Sequence, residues 1–299
     1  MDVKILLDNF CDYSLSIRGY SKDTVRRYKY VINFYRKYAQ INEINQVSDD
    51  NVRTLFYHGR TERKWSVNTF IVYHKTLLVF FRWCIKQGYL EKNPILDIEV
   101  PKMEKRLPTK LSKQTTFQLL EVVYNYPYEY RFLRYRNHAI FSTFIFAGLR
   151  KQELINLKFA DIDLENLTLF VRQGKGGKDR IIPISYILAQ SLKKYVEERK
   201  RLNKTNPEFF SSLRNNRGFT ANGLKKLVEQ VIKTSGIMFT VHKLRHTFAT
   251  LMLEGGCDIY SLSKMMGHSD IKTTTIYLAA SAEHLRLQMT KHPLNEVIR

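Results

Sequence analysis

Residues 241–250 read VHKLRHTFAT. Thr240 just before them is an N-cap residue and Gly255-Gly256 just after them is a stop, so the pattern predicts a helix over 241–254. Val241, Leu244, Phe248 and Leu251 form its apolar stripe. Arg245 lies on one flank, His242 about 60° further round, and His246 toward the polar side. Two histidines four apart raise the question of a metal. That reading needs neutral imidazoles, yet a permanently charged arginine sits between them, and the glutamate of an HExxH zinc motif is replaced by Lys243. An arginine at the edge of an apolar stripe needs an anion, and a neighbouring histidine can donate, accept or transfer a proton. The stretch looks like a phosphate grip, although taken alone a solvated arginine beside a surface histidine is the simpler reading.

The segments on either side add to it. HAIFSTFIFAGL (138–149) reads as a core helix that Arg150 ends, with Glu153 three residues on as an ion-pair partner. LTLFVR (167–172) and RIIPI (180–184) read as strands flanking the glycine turn QGKGGKD, and ADID (160–163) as a third short strand. Lys175 on this turn is either wet or free to swing onto a phosphate. The turn lacks GxxxxGK[ST] and joins strand to strand, so it is not a nucleotide-binding P-loop. MMGHSDIKTTTIYL (265–278) sets His268 directly after a helix-ending Gly267, with Tyr277 nine residues later; composition gives one tyrosine among 18 no special status. Further helices are expected over 186–200, 221–235 and 258–266.

The first hundred residues read as an all-helical module. SKDTVRRYKYVINFYRKYAQ (21–40) starts on Ser21 and repeats Val25, Tyr28, Ile32, Tyr35 and Ala39 at helical spacing. SVNTFIVYHKTLLVFFRWCIKQG (66–88) repeats Val67, Ile71, His74, Leu78, Phe81 and Ile85 and stops at Gly88, with shorter helices over 2–18 and 48–58. Tyr28, Tyr30 and Tyr35 alternate with basic residues, but at this spacing at least half belong in the core. Pro94, Pro101 and Pro108 then break the pattern, and Lys102, Lys105, Arg106 and Lys110 face only Glu104 between 101 and 110. We read 1–92 as a helical domain, 93–112 as a basic linker, either a solvated tether or a strap across a phosphate backbone, and 113–299 as a mostly helical second domain with one small antiparallel sheet.

Forty-nine Lys and Arg against 28 Asp and Glu leave a net charge of +21, a field that attracts polyanions, above all nucleic acid. The longest nearly apolar run, 138–149, is too short to span a bilayer, and the N-terminus lacks the layout of a secretory signal. Cys11, Cys84 and Cys257 are too few and scattered for a disulfide framework or zinc cluster. A cytoplasmic, polyanion-binding protein without membrane attachment is expected.

The combination is specific where each motif is weak. AGLR (147–150), GKGGKDR (174–180), HKLRHTFAT (242–250) and MMGH (265–268) before IY (276–277) closely resemble the motifs of the tyrosine recombinases, the phage-integrase and Xer family. The N-terminal module is similar to that family's SAM-like core-binding domain, and AEHLRLQMTKHPLN to the tail of Xer-type members. The resemblance implies that Tyr277 attacks a DNA phosphodiester to give a 3′-phosphotyrosyl bond, with Arg150 and Arg245 on the non-bridging oxygens. Lys175 is then the acid for the leaving 5′-oxygen, His242 the base for Tyr277, and His268 a hydrogen-bond donor to phosphate. His246, His74 and Glu153 are left structural. No metal, ATP or other cofactor is implied. The expected partner is double-stranded DNA bearing an inverted-repeat core site, gripped also by Lys102, Lys105, Arg106, Lys110 and Lys178. Four protomers would assemble on it through the tail at 282–292, in the cytoplasm at the nucleoid. Leu278 in place of a common threonine and the Gly176-Gly177 turn depart from the family pattern without touching a chemical role. The chain begins at the core-binding module, which favours a simple two-domain, Xer-like enzyme. A type IB topoisomerase-like activity and a non-catalytic DNA-binding regulator are the alternatives. The sequence leaves open the DNA target, integration versus dimer resolution or inversion, and the need for an accessory protein.

Overall fold

A computed structural model describes residues 1–103, 108–172, 179–268, 270–280, 286 and 289–290. The chain divides into two compact units, Met1–Lys105 and Arg106–Arg299. The fold is mainly helical with a three-stranded antiparallel sheet.

The first unit carries α1 (Val3–Asp12), α2 (Lys22–Tyr38), α3 (Asp49–Thr61) and α4 (Val67–Lys86). A π-helical turn, Tyr13–Ile17, extends α1, so the helix expected over 2–18 changes its winding rather than ending. Ser21, Ser48 and Ser66 each accept a backbone N–H of the following first turn, which fixes where α2, α3 and α4 begin. On α2, Tyr28, Ile32 and Tyr35 are buried as the spacing predicts and Tyr30 is exposed. On α4 the inward face is instead Phe70, Tyr73, Leu77, Phe80, Phe81 and Cys84, which corrects the stripe read from sequence. The helix is apolar nearly all round, so periodicity alone left its phase open by one residue. His74 is half-buried beside that face. Ile95, inside the stretch read as linker, is fully buried in this unit's core.

The second unit begins with Leu111 in its own core. It contains α5 (Lys113–Asn125), α6 (Arg131–Ala147), α7 (Lys151–Asn156), β1 (Ile162–Asp163), β2 (Thr168–Val171), β3 (Arg180–Pro183) and α8 (Tyr186–Arg201). After these come α9 (Ala221–Ser235), α10 (Val241–Glu254), α11 (Ile259–Met266) and α12 (Lys272–Ala280). The strands pair in the order β1-β2-β3, with Leu169 opposite Ile182 and Val171 opposite Arg180. Leu169 and Ile182 are both fully buried while Ile181, next to Ile182 along β3, is exposed, the period-two alternation of a sheet wet on one face. Helix α6 is the central element: Phe132, Ile140, Phe141 and Phe144 are all fully buried, and it packs against α5, α8 and α10. Among the described residues no helix is long and apolar enough to cross a membrane.

Candidate active site

Two left-handed glycines shape the site. Gly148 (φ 59°) ends α6 so abruptly that Leu149 stays in the core while Arg150 turns out to cap α7. Gly267 (φ 61°) ends α11 and directs His268 back toward the second unit's interior. A Cβ at Gly148 would lie 2.2 Å from the ring of Phe248, so this position requires glycine for space as well as for φ.

The last carbonyls of α11 have no intrahelical partners and carry the negative end of the helix dipole. Three arginines from three other elements converge on them. Arg180 Nε donates to Met265 O (2.7 Å), Arg245 Nη2 to Met266 O (2.5 Å) and Arg150 Nη2 to Gly267 O (3.0 Å). Arg245 also reaches across to Gly148 O (2.5 Å), so one guanidinium ties both glycine breaks together. It is 3% exposed, and burial brings its pKa down to about 10, which leaves it charged at neutral pH. Arg150 is more open, with 25% of its side chain exposed.

Glu153 lies beneath the arginines. Its Oε1 accepts from Arg150 Nη1 (2.7 Å) and Arg180 Nη1 (2.9 Å), and its Oε2 from Arg180 Nη2 and the Arg150 backbone N–H (both 2.8 Å). Burial pushes this carboxyl up, but the charges and hydrogen bonds of Arg180 and Arg150 outweigh it and hold the pKa at about 2. The ion pair expected between Arg150 and Glu153 is present; Arg180 as a second partner was not foreseen.

His268 Nε2 lies 3.3 Å from Arg245 Nη2 and its Nδ1 2.8 Å from Thr274 Oγ1. A guanidinium can only donate, so Nε2 accepts and the proton sits on Nδ1, facing the threonine. Burial, then the charges of Arg245, Arg150 and Arg180, lower this histidine to about 4, so it is neutral at pH 7.

Tyr277, on α12, is 2% exposed among Phe248, Ala249, Leu253, Leu262 and Met266. Its hydroxyl lies 2.8 Å from His246 Nδ1. Burial raises the phenol's pKa, while Arg245 and Arg150 oppose that rise. The imidazole on the Tyr277 hydroxyl is therefore not His242, the base expected from the resemblance, but His246, which the sequence reading leaves structural. The wheel placed it toward solvent, but α12 covers that side of α10. His242 meets His246 edge to face at 4.2 Å between ring centres. It also shares the wall of a cavity of about 540 Å³ with Arg150, Arg245, Leu149 and Phe239. Burial, then Arg245 and Arg150, lower its pKa, and His246 falls to about 4 through burial and then His242 and Arg245.

The remaining expected residues lie elsewhere. Lys175, Lys178, Lys105, Arg106 and the tail at 282–285, 287–288 and 291–292 are outside the described residues. Lys102 is exposed. Lys110, expected on DNA, has its ammonium on the buried carboxylate of Glu254, while the Leu111 N–H donates to Thr247 Oγ1 (2.9 Å); both anchor this end of the linker to α10. Among the described residues no three or more His, Cys, Asp or Glu are grouped to hold a metal ion.

Two cationic forks, a tyrosine with an imidazole on its hydroxyl, and a neutral histidine beside them thus lie together in the second unit. The chain belongs to the phage integrase family, the tyrosine recombinases: the family's profile matches residues 111–284 and that of its N-terminal SAM-like domain residues 6–91. Along nearly its whole length it is similar to Xer enzymes. It is 32% identical to tyrosine recombinase XerA of Pyrococcus horikoshii, covering 98% of this chain and 95% of that one. It is 30% identical to tyrosine recombinase XerC of Oceanobacillus iheyensis, covering 97% of each. Its fold resembles the crystal structure of the XerH site-specific recombinase bound to palindromic difH substrate in a post-cleavage complex. That likeness has a TM-score of 0.72 at 23% identity, over 95% of this chain and 83% of the other.

Proposed function

We propose that this recombinase binds double-stranded DNA at an inverted-repeat core site and exchanges strands through a 3′-phosphotyrosyl bond at Tyr277, using neither metal nor ATP. The observation that carries the reading is the gathering of Arg150, Arg245 and His268 around the α11 terminus, close enough to Tyr277 for both arginines to act on its ionisation.

In the forward step the Tyr277 oxygen attacks phosphorus, the bond to the 5′-oxygen breaks, and the phosphotyrosyl linkage keeps the energy of the broken ester. A phenol is a weak nucleophile at neutral pH and needs an acceptor for its proton. His246, already on the hydroxyl, accepts it in the tautomer that carries its own hydrogen on Nε2, with His242 in ring contact behind it. Arg150 and Arg245 meet the non-bridging oxygens. A preorganised contact of this kind is worth about 2.7–4 kcal/mol in the transition state. When phosphate takes the place of the Arg245 contact, His268 shifts to the tautomer with its proton on Nε2 and donates it to the phosphate, while the Thr274 hydroxyl donates to Nδ1, and Lys175 protonates the 5′-oxygen. Because Tyr277 is enclosed by apolar side chains, α12 shifts when DNA binds so that the hydroxyl reaches the phosphate.

Residues 1–92 and 113–299 hold the duplex as two DNA-binding domains joined by 93–112, with Lys102, Lys105, Arg106 and Lys178 on phosphates. The tail at 282–292 docks on a neighbouring protomer, giving a DNA-bound tetramer that works at the nucleoid in the cytoplasm. The test is strand exchange between two differently labelled duplexes that share one site, in EDTA and without nucleotide. Recombinant products support the proposal. Relaxation of supercoils without exchange, or exchange only after added metal or ATP, contradicts it.

A further inference from the structure

Arg180 opens β3 and is almost enclosed, with 8% of its side chain exposed. It faces inward although it lies on a strand next to a glycine turn. Its three nitrogens all have partners: Met265 O through Nε, and the two Glu153 oxygens through Nη1 and Nη2 in a two-pronged fork. Gly267 leaves it room, since a Cβ there would lie 2.9 Å from the Arg180 side chain.

Glu153 presents a problem that this fork solves. Its carboxylate is buried three residues from Arg150 and shares Oε1 with it at 2.7 Å. Alone, the pair would sum to zero charge, and Arg150 would meet a phosphate with its field largely cancelled by the carboxylate behind it. With Arg180 the trio carries a net +1. With its guanidinium nitrogens engaged by Met265 O and Glu153 and its side chain only 8% exposed, Arg180 acts through its neighbours. We propose that Arg180 is a positioning residue for the transfer step: it neutralises Glu153 so that Arg150 keeps its charge for the phosphate, and it holds the α11 end on which Arg150 and Arg245 rest. The proposal depends on the recombinase reading above.

The test is single-turnover formation of the covalent DNA adduct by the full chain, with DNA affinity measured alongside. Arg180→Gln should slow adduct formation by about 10–100-fold, somewhat less than losing a group that contacts the oxyanion directly, with DNA affinity within about twofold of wild type because its charge is internally spent. Arg180→Lys, which keeps the charge but not the fork, should lose less. The deciding variant is Arg180→Gln with Glu153→Gln. Removing the carboxylate's charge restores Arg150's field, so at least half of the loss, on a logarithmic scale, should return. If Arg180→Gln does not fold, the same comparison runs between Arg180→Met, which also removes the charge, and Arg180→Met with Glu153→Gln. A wild-type rate in Arg180→Gln, or a double variant no faster than the single, overturns the proposal alone. A wild type that forms no adduct overturns the recombinase reading and this proposal with it.

Discussion

Replacing Gly148 with alanine tests how the break between α6 and α7 builds the site. The left-handed φ of 59° costs an L-residue about 1–2 kcal/mol. The added Cβ would also meet Phe248 Cδ1 at 2.2 Å, inside the apolar group that encloses Tyr277. Overfilling such a core costs about 1–3 kcal/mol, for a total near 2–5 kcal/mol. In a domain of this size that lowers Tm by about 4–20 °C. Gly236→Ala is the internal control: its φ of 68° is equally left-handed, but nothing lies within 4 Å of the new Cβ, so it carries only the backbone strain. Its Tm should fall by about 2–8 °C. Calorimetry of the two variants separates strain from crowding. Adduct formation should also fall in Gly148→Ala beyond its folded fraction, because Gly148 O anchors Arg245 and the next turn presents Arg150. Equal Tm losses in the two variants would refute the crowding argument.

Other outcomes follow from single contacts. Thr274→Val keeps the shape of a fully buried side chain but removes the partner of His268 Nδ1; single-turnover cleavage should slow by about tenfold while DNA affinity holds. Lys110→Met strands the buried Glu254 carboxylate and should destabilise the fold by about 1–3 kcal/mol. It should leave the salt dependence of DNA binding unchanged, whereas Lys102→Met should lower that slope by about 0.9. Stability should fall as pH drops from 6.5 toward 4. His138, His246 and His268 stay neutral in the fold down to about 4, while the unfolded chain takes up their protons below 6.5, so falling pH favours unfolding. Each pKa unit amounts to about 1.4 kcal/mol per fully shifted group. Below 4.5 Glu153 adds a loss of the same sign, complete near pH 2. Denaturant titrations at pH 7, 5.5 and 4.5 check this, and a flat profile would count against the buried, neutral histidines.

Local chemistry made much of this fold legible. Ser21 and Thr240 mark helix starts in the sequence and cap them in the structure, and the glycine turn between two β-rich runs announced the hairpin. The phase of α4 was not legible, because a helix apolar on every side satisfies several stripes. The site residues were nominated by motif, but their connections were not. His246 and Tyr277 are 31 residues apart on different helices, and no periodicity in α10 reports that α12 will cover one of its flanks. Arg180 reads as an ordinary strand residue after a polar turn. Its role depends on β3 lying beside the end of α11, 85 residues along the chain. Such pairings are set by tertiary closure, which leaves its trace in the sequence only as a charged residue that is later found buried.

The central claim is that Tyr277 becomes joined to DNA. Wild type and Tyr277→Phe, mixed with nicked duplexes taken from DNA flanking the gene and run on denaturing gels, test it directly. The account predicts an SDS-resistant adduct with a free 5′-hydroxyl on the released strand, formed by wild type and absent with the phenylalanine variant. Tight DNA binding with no adduct on any substrate, with or without host extract, or an adduct that survives the loss of the Tyr277 hydroxyl, would contradict it.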